Sequence, residues 1–206
     1  GGEPPRYFFV HLQKTGGTAL FQRLRDHFGT DAVLPTPEQQ GTPESVLDVG
    51  LLLERFEASR DRVRVVTGHF PLCVTELLGA PFTAFTVLRD PVERTLSFLR
   101  HQRKVDPTLV DAPLEALYAD PDRQDLIRNH MVKMLALTPQ EMTDGALTPI
   151  DLDADHLDRA RRALAERVEV FGLQEHFDDF CSELERRFDW DLGRPRFANR
   201  TFEPDD

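Results

Sequence analysis

Residues 7–28 read YFFVHLQKTGGTALFQRLRDHF, and the class of the fold turns on them. Tyr7, Phe8, Phe9 and Val10 form an apolar run of the aromatic and β-branched residues that suit a buried strand. Gln13, Lys14, Thr15, Gly16, Gly17 and Thr18 break the run, and Leu20, Phe21, Leu24 and Phe28 then recur at helical spacing. A strand, a glycine loop and a helix in that order bring backbone N–H groups and the positive end of a helix to one point, which suits an anion. Lys14 adds a mobile charge, and Thr15 and Thr18 add hydroxyl donors. The plain alternative is an ordinary βα turn in which two glycines only allow positive φ.

The wording of this loop is not that of the common nucleotide triphosphatase motif GxxxxGK[ST], because here Lys14 precedes Gly16 and Gly17. Working outward, the chain has 206 residues, 40% hydrophobic and 30% charged, as expected of a globular protein with a sizeable core. No apolar run approaches the ~20 residues of a membrane span. No basic start followed by an apolar segment marks a signal peptide, so a soluble protein is expected. Cys73 and Cys181 form no metal-spacing motif, and a reduced, cytoplasmic setting is the simpler reading. The net charge of −11 disfavours nucleic acid or an anionic membrane as partner, while leaving room for a local basic pocket.

Residues 29–45, with Pro35, Pro37, Gly41 and Pro43, read as a loop. A helix is expected through Leu47, Leu51, Leu52 and Phe56, a strand at 63–67, a brief helix at 74–78 and a third strand at 82–88. Asp90, Pro91 and Glu93 make a helix start, with Asp90 as cap, Pro91 at the first position and Glu93 completing an acidic capping box. Val92, Leu96 and Leu99 mark the face expected to be buried, with Ser97 on another. Residues 106–125 read as an irregular excursion, 126–137 as a helix, 138–151 as a loop, 157–168 as a helix, 168–172 as a last strand and 177–188 as a last helix. Strands alternating with helices predict an α/β fold in three layers, with a mostly parallel central sheet flanked by helices and one domain over residues 1–206. Ligands of such sheets bind beyond the carboxyl ends of the strands. Lys14, His69 and Arg89 each directly follow an expected strand.

The segments FFVHLQKTGGTAL, FTVLRDPVERTLSFLRH, RNHMVKMLA and VFGLQEHFDDFCSELERRFDW, in that order, resemble the heparan sulfate 6-O-sulfotransferases and their bacterial relatives. The resemblance runs from about Tyr7 to Thr201 and implies a P-loop-like fold. It implies transfer of a sulfuryl group from 3′-phosphoadenosine 5′-phosphosulfate (PAPS) to an acceptor hydroxyl, with no metal. It assigns Lys14, Thr15, Gly16, Gly17 and Thr18 to the 5′-phosphosulfate, and Arg89 and Ser97 to the 3′-phosphate. His69, after the second strand, takes the place of the general base, and Lys14 stabilises the moving group and the departing phosphate. Asn129 and Thr201 fall in matched segments as further candidate donor contacts.

The chemistry fits these residue types. Sulfuryl transfer resembles phosphoryl transfer, in which the protein positions reactants and stabilises charge. An imidazole can take the acceptor's proton near neutral pH, and a guanidinium fork with a hydroxyl suits a phosphate. Plainer roles stand beside each: a core or loop histidine for His69, an ion pair to Asp90 or Glu93 for Arg89, back-bonding to its own helix for Ser97. Arg94 is read as structural or surface-paired rather than ligating, and His11 as interior to the first strand. The acidic residues 178, 179, 183 and 185 are read as the solvated face of the last helix. A small-molecule kinase with an unusual phosphate loop, or a nucleotide-binding module without turnover, remain the alternatives. The acidic balance and the basic residues near 100–104 and 159–162, read as solvated faces, predict a neutral or cationic acceptor, small or a short glycan. The proline-rich segments 29–45 and 106–125 are expected to wall its cleft.

Overall fold

In a computed structural model that describes residues 2–193, five strands form one all-parallel sheet. The strands are β1 (Tyr7–Val10), β2 (Val33–Leu34), β3 (Val65–Gly68), β4 (Thr83–Leu88) and β5 (Val168–Leu173), in the order β2-β3-β1-β4-β5. Nine α-helices connect or cover them among the described residues: α1 (Gly17–Phe28), α2 (Glu44–Leu47), α3 (Val49–Ser59), α4 (Pro91–Val105), α5 (Leu114–Ala119), α6 (Gln124–Ile127), α7 (His130–Ala136), α8 (Ala154–Glu166) and α9 (Phe177–Phe188). None of them is long and apolar enough to cross a membrane.

Alternation along β1 builds the layers. Phe8 and Val10 enter a core with Leu52 and Phe56 of α3, Met134 of α7 and Ala160 of α8. Tyr7 and Phe9 enter the opposite core with Leu20 and Leu24 of α1, Phe180 and Leu184 of α9, and Trp190. Phe9 stacks on Phe85 of β4 at 5.0 Å, and both are buried on the central strands. A strand with both faces covered reads as an unbroken apolar run rather than an alternating one, which is why YFFV announced itself.

The strand order puts the chain's reversal at β1. The connection after β1 leads through α1 to β2 on one side, and the connection after β3 crosses to β4 and β5 on the other. The crevice at such a reversal is where open parallel sheets hold ligands. Val10 lies opposite Gly68 of β3 and Thr86 of β4, so the residues after all three strands leave the sheet at one edge.

Several sequence expectations are corrected. Residues 29–45 are not all loop, because Val33 and Leu34 pair with β3 as an edge strand. Residues 74–78 form no α-helix; a 3-10 turn runs over Leu72–Glu76. Residues 106–125 contain α5, whose Leu117 packs with Phe98 and Leu99 of α4. The helix expected at 126–137 breaks into α6 and α7 because Asn129 is left-handed, with φ 46°. Val92 is not buried but 64% exposed. Asp90 accepts from the N–H groups of Val92 and Glu93, and the helix phase that this cap sets turns Arg94, Ser97 and Phe98 inward.

Candidate functional site

The loop between β1 and α1 is held by its carbonyl groups. The His11 carbonyl accepts from His69 Nδ1 at 2.8 Å. The Leu12 carbonyl accepts from Thr15 Oγ1 at 2.7 Å. The Gln13 carbonyl accepts from Arg94 Nη1 at 3.4 Å, and the Lys14 carbonyl from Arg89 Nη1 at 2.9 Å. Four consecutive acceptors are thus turned toward side chains, three of which come from other segments. The helix that follows begins with no side-chain cap and no acidic residue in its first turn. Its first N–H groups have no intrahelical partner by construction, an arrangement suited to an anion.

The backbone is strained where this loop turns. Lys14 has φ 62° and Gly16 φ 83°, both left-handed, and for a lysine that conformation persists only when neighbours enforce it. Arg89, gripping the Lys14 carbonyl, is one such neighbour. Gly17 is required for a different reason: a Cβ there would come within 2.3 Å of His11 Nε2, because the His11 ring lies over the helix start. His11 is not inside β1, which ends at Val10; its half-buried ring stacks on Phe9 and meets His69 at 4.6 Å between centroids.

His69 follows β3 directly, as expected, and its register opposite the end of β1 brings it to the loop. The carbonyl of His11 can only accept, so Nδ1 carries the proton and Nε2 keeps its lone pair. Burial lowers the His69 pKa; the bond to His11 opposes this, and Arg94 and Lys14 add to the lowering. His11 is driven well below the ordinary histidine range by burial, then by His69 and Lys14. Among the described residues, no carboxylate figures in either shift.

Arg89 is half-buried, and its bond goes to the loop rather than to Asp90 or Glu93. Ser97 is buried, and its Oγ has no hydrogen-bond partner, so it does not bond back to its own helix. Thr15 is buried with its hydroxyl proton spent on Leu12, while Thr18 is exposed at the first turn of α1. Arg94 is structural, as read: 2% exposed, it also donates to the Leu126 carbonyl at 2.7 Å, and burial first and Arg89 second bring its pKa to about 10. Asn129 is exposed, and Thr201 lies outside the described residues. Glu183 pairs with Arg186 on the exposed side of α9.

Sequence reasoning missed two residues. His130 opens α7 and accepts the Gln13 N–H at Nε2. Gln174 follows β5, and its side chain lies against Gly16, 3.6 Å from where a Cβ would stand. The position of Gln174, directly after a strand like His69 and Arg89, is the signal that could have found it. Two surface recesses, of about 270 and 290 Å³, lie apart from these residues, beside Lys133 and Asp151 and beside Arg159 and Arg167. No protein-family model matches this chain, and no curated protein sequence matches it either.

Proposed function

We propose that this protein is a sulfotransferase that moves a sulfuryl group from PAPS to a hydroxyl of a small or short glycan acceptor. The observation that carries the reading is a strand edge lined by Lys14, Arg89, Arg94 and neutral imidazoles, in which the His69 tautomer leaves one basic nitrogen. A doubly anionic donor needs two anion-binding places. The uncapped helix start with Lys14 suits the 5′-phosphosulfate, and Arg89, which has further N–H groups beyond the one on Lys14, suits the 3′-phosphate together with the unpartnered Ser97 hydroxyl.

The acceptor oxygen attacks sulfur as its proton passes to His69 Nε2. The bond between sulfur and the 5′-phosphate oxygen breaks, and its electron pair leaves with adenosine 3′,5′-bisphosphate. Lys14 and the loop N–H groups stabilise the charge that grows on that oxygen. The low pKa of His69 keeps it unprotonated and ready at neutral pH, the condition for a base.

The acceptor is neutral or cationic in this reading. Acidic residues exceed basic ones by 11 (36 − 25), and Arg159 is committed to Glu141. The segment after β2 returns to the base, where the His69 N–H donates to the Val46 carbonyl at 2.8 Å. That supports residues 35–46 as one wall of the acceptor cleft.

The test is labelled-sulfate transfer from PAPS to neutral glycosides, de-sulfated heparan and intact heparan, at low and moderate salt. Transfer to short neutral acceptors, lost in His69→Ala, is the expected result. Absence of transfer to every acceptor would sink the enzyme reading. Efficient, salt-sensitive sulfation of the polyanion would overturn the acceptor assignment.

A further inference from the structure

Both backbone groups of Gln13, where the loop begins, are held from outside it. Its carbonyl accepts from Arg94, and its N–H donates to His130 Nε2 at 3.3 Å. His130 is 2% exposed and starts α7 directly after the left-handed Asn129, which separates that helix from α6. A ring nitrogen that accepts an N–H carries no proton, so the proton of the neutral ring sits on Nδ1. Nδ1 is itself buried and has no hydrogen-bond partner.

The charged ring has no place here. It would set an Nε2–H against the N–H of Gln13 and bury a net charge, while Nδ1–H has no acceptor in either form. The groups that face it are Arg94 from α4, His69 after β3, Lys133 from its own helix and His11 after β1; among the described residues no carboxylate joins them. Burial, and then these groups, hold His130 well below the ordinary histidine range.

We propose that His130 is a positioning residue, a latch whose neutral Nε2 seats the Gln13 end of the loop, so that anion binding at the loop requires His130 to be unprotonated. The inference rests on the reading of this loop as the donor site. Enclosed in the core, His130 acts through Gln13. Protonation releases the Gln13 N–H and loosens the turn at Lys14. Donor affinity then falls with pH at the His130 pKa, separately from His69, whose titration acts on the rate of transfer.

The test uses the full chain as wild type, His130→Gln and His130→Ala, with two readouts. The first is hydrogen exchange at the Gln13 amide. Protection is expected in wild type at pH 7, with exchange about tenfold faster in H130A and protection restored in H130Q, whose side-chain oxygen can take the place of Nε2. The second is titration with adenosine 3′,5′-bisphosphate from pH 7 down to the onset of acid unfolding, a range that reaches below the ordinary histidine pKa. H130A is expected to bind about tenfold more weakly at pH 7. Wild type is expected to weaken on acidification relative to H130Q, in which no imidazole titrates at this place; the ligand's own titration is common to both. Gln13 exchange unchanged in H130A would overturn the latch, as would parallel pH dependence in wild type and H130Q. Failure of wild type to bind the bisphosphate would instead overturn the donor-site reading, and the exchange rates would then decide the latch alone.

Discussion

His69 and His156 are both histidines fixed through their ring nitrogens, yet the chain uses them in opposite ways. His156, on α8, stands between two carboxylates, with Nε2 2.8 Å from Glu141 and Nδ1 2.8 Å from Asp153. Burial opposes its charge, but the hydrogen bonds to Glu141 and Asp153 outweigh burial and raise its pKa. Glu141, bonded first to Arg159 and then, against burial, to His156 and Thr138, is lowered to about 2. That region is a closed clasp, in which every charge has its opposite and the loop after α7 is tied to α8. At the strand edge burial first, then neighbouring cations and imidazoles, lowers His11, His69 and His130, and among the described residues no carboxylate figures in their shifts. In the function proposed above, the second region is the one that receives the anionic donor.

Breaking the strand edge should cost function before stability. His69→Ala is expected to slow sulfuryl transfer by on the order of 10²–10⁴ while leaving the affinity for adenosine 3′,5′-bisphosphate nearly intact. Steady-state transfer beside a binding titration checks this, and retention of more than about a tenth of the activity would remove His69 as base. Arg89→Ala comes next. It deletes one proposed phosphate contact and the brace on the strained Lys14 carbonyl, so the bisphosphate should bind about 10- to 100-fold more weakly. An affinity unchanged by that substitution would remove Arg89 from the phosphate site.

Breaking the clasp should do the reverse. Glu141→Gln leaves His156 and Arg159 without their carboxylate and is expected to lower stability by about 1–3 kcal/mol with little change in bisphosphate binding. Denaturant unfolding measures the first and calorimetry the second. A large loss of binding would show that the two regions are not separate.

How much of this was legible in the sequence differs between the regions as well. The apolar run of β1, the glycine pair and the helical spacing after it are local signals, and they located the loop and the sheet class. Placing Lys14, His69 and Arg89 on one edge needed only that β3, β1 and β4 be neighbours and parallel, which they are. Two-residue β2 was hidden among prolines, because a strand that short has no periodicity to read. Val92 misled because an apolar residue near a cap can as easily face solvent as the core. His130 was illegible for a deeper reason: its partner Gln13 lies 117 residues away, and nothing local distinguishes a buried acceptor imidazole from any other histidine.

The smallest expected effect is on the pH dependence of folding, and it sharpens the contrast in sign. His11, His69 and His130 have lowered pKa values, so the unfolded chain binds more protons than the folded one, and their burial costs stability as pH falls below about 6.5. His156 has a raised value; its contribution is complete below about 6.5 and is lost as pH rises through its folded pKa. Thermal unfolding from pH 5 to pH 8 should show the acid loss reduced in His130→Gln and the alkaline loss reduced in His156→Gln. Identical profiles for the two variants would erase the distinction between the regions.

The central claim is that the carboxyl edge of β3, β1 and β4 is a site for two phosphate-type groups at once. Calorimetric titration of the full chain with adenosine 3′,5′-bisphosphate and, separately, with adenosine 5′-monophosphate tests it most directly. The expected result is binding of the bisphosphate at least about tenfold tighter than the monophosphate, with the preference erased in Arg89→Ala. Equal affinity for the two nucleotides would contradict the account.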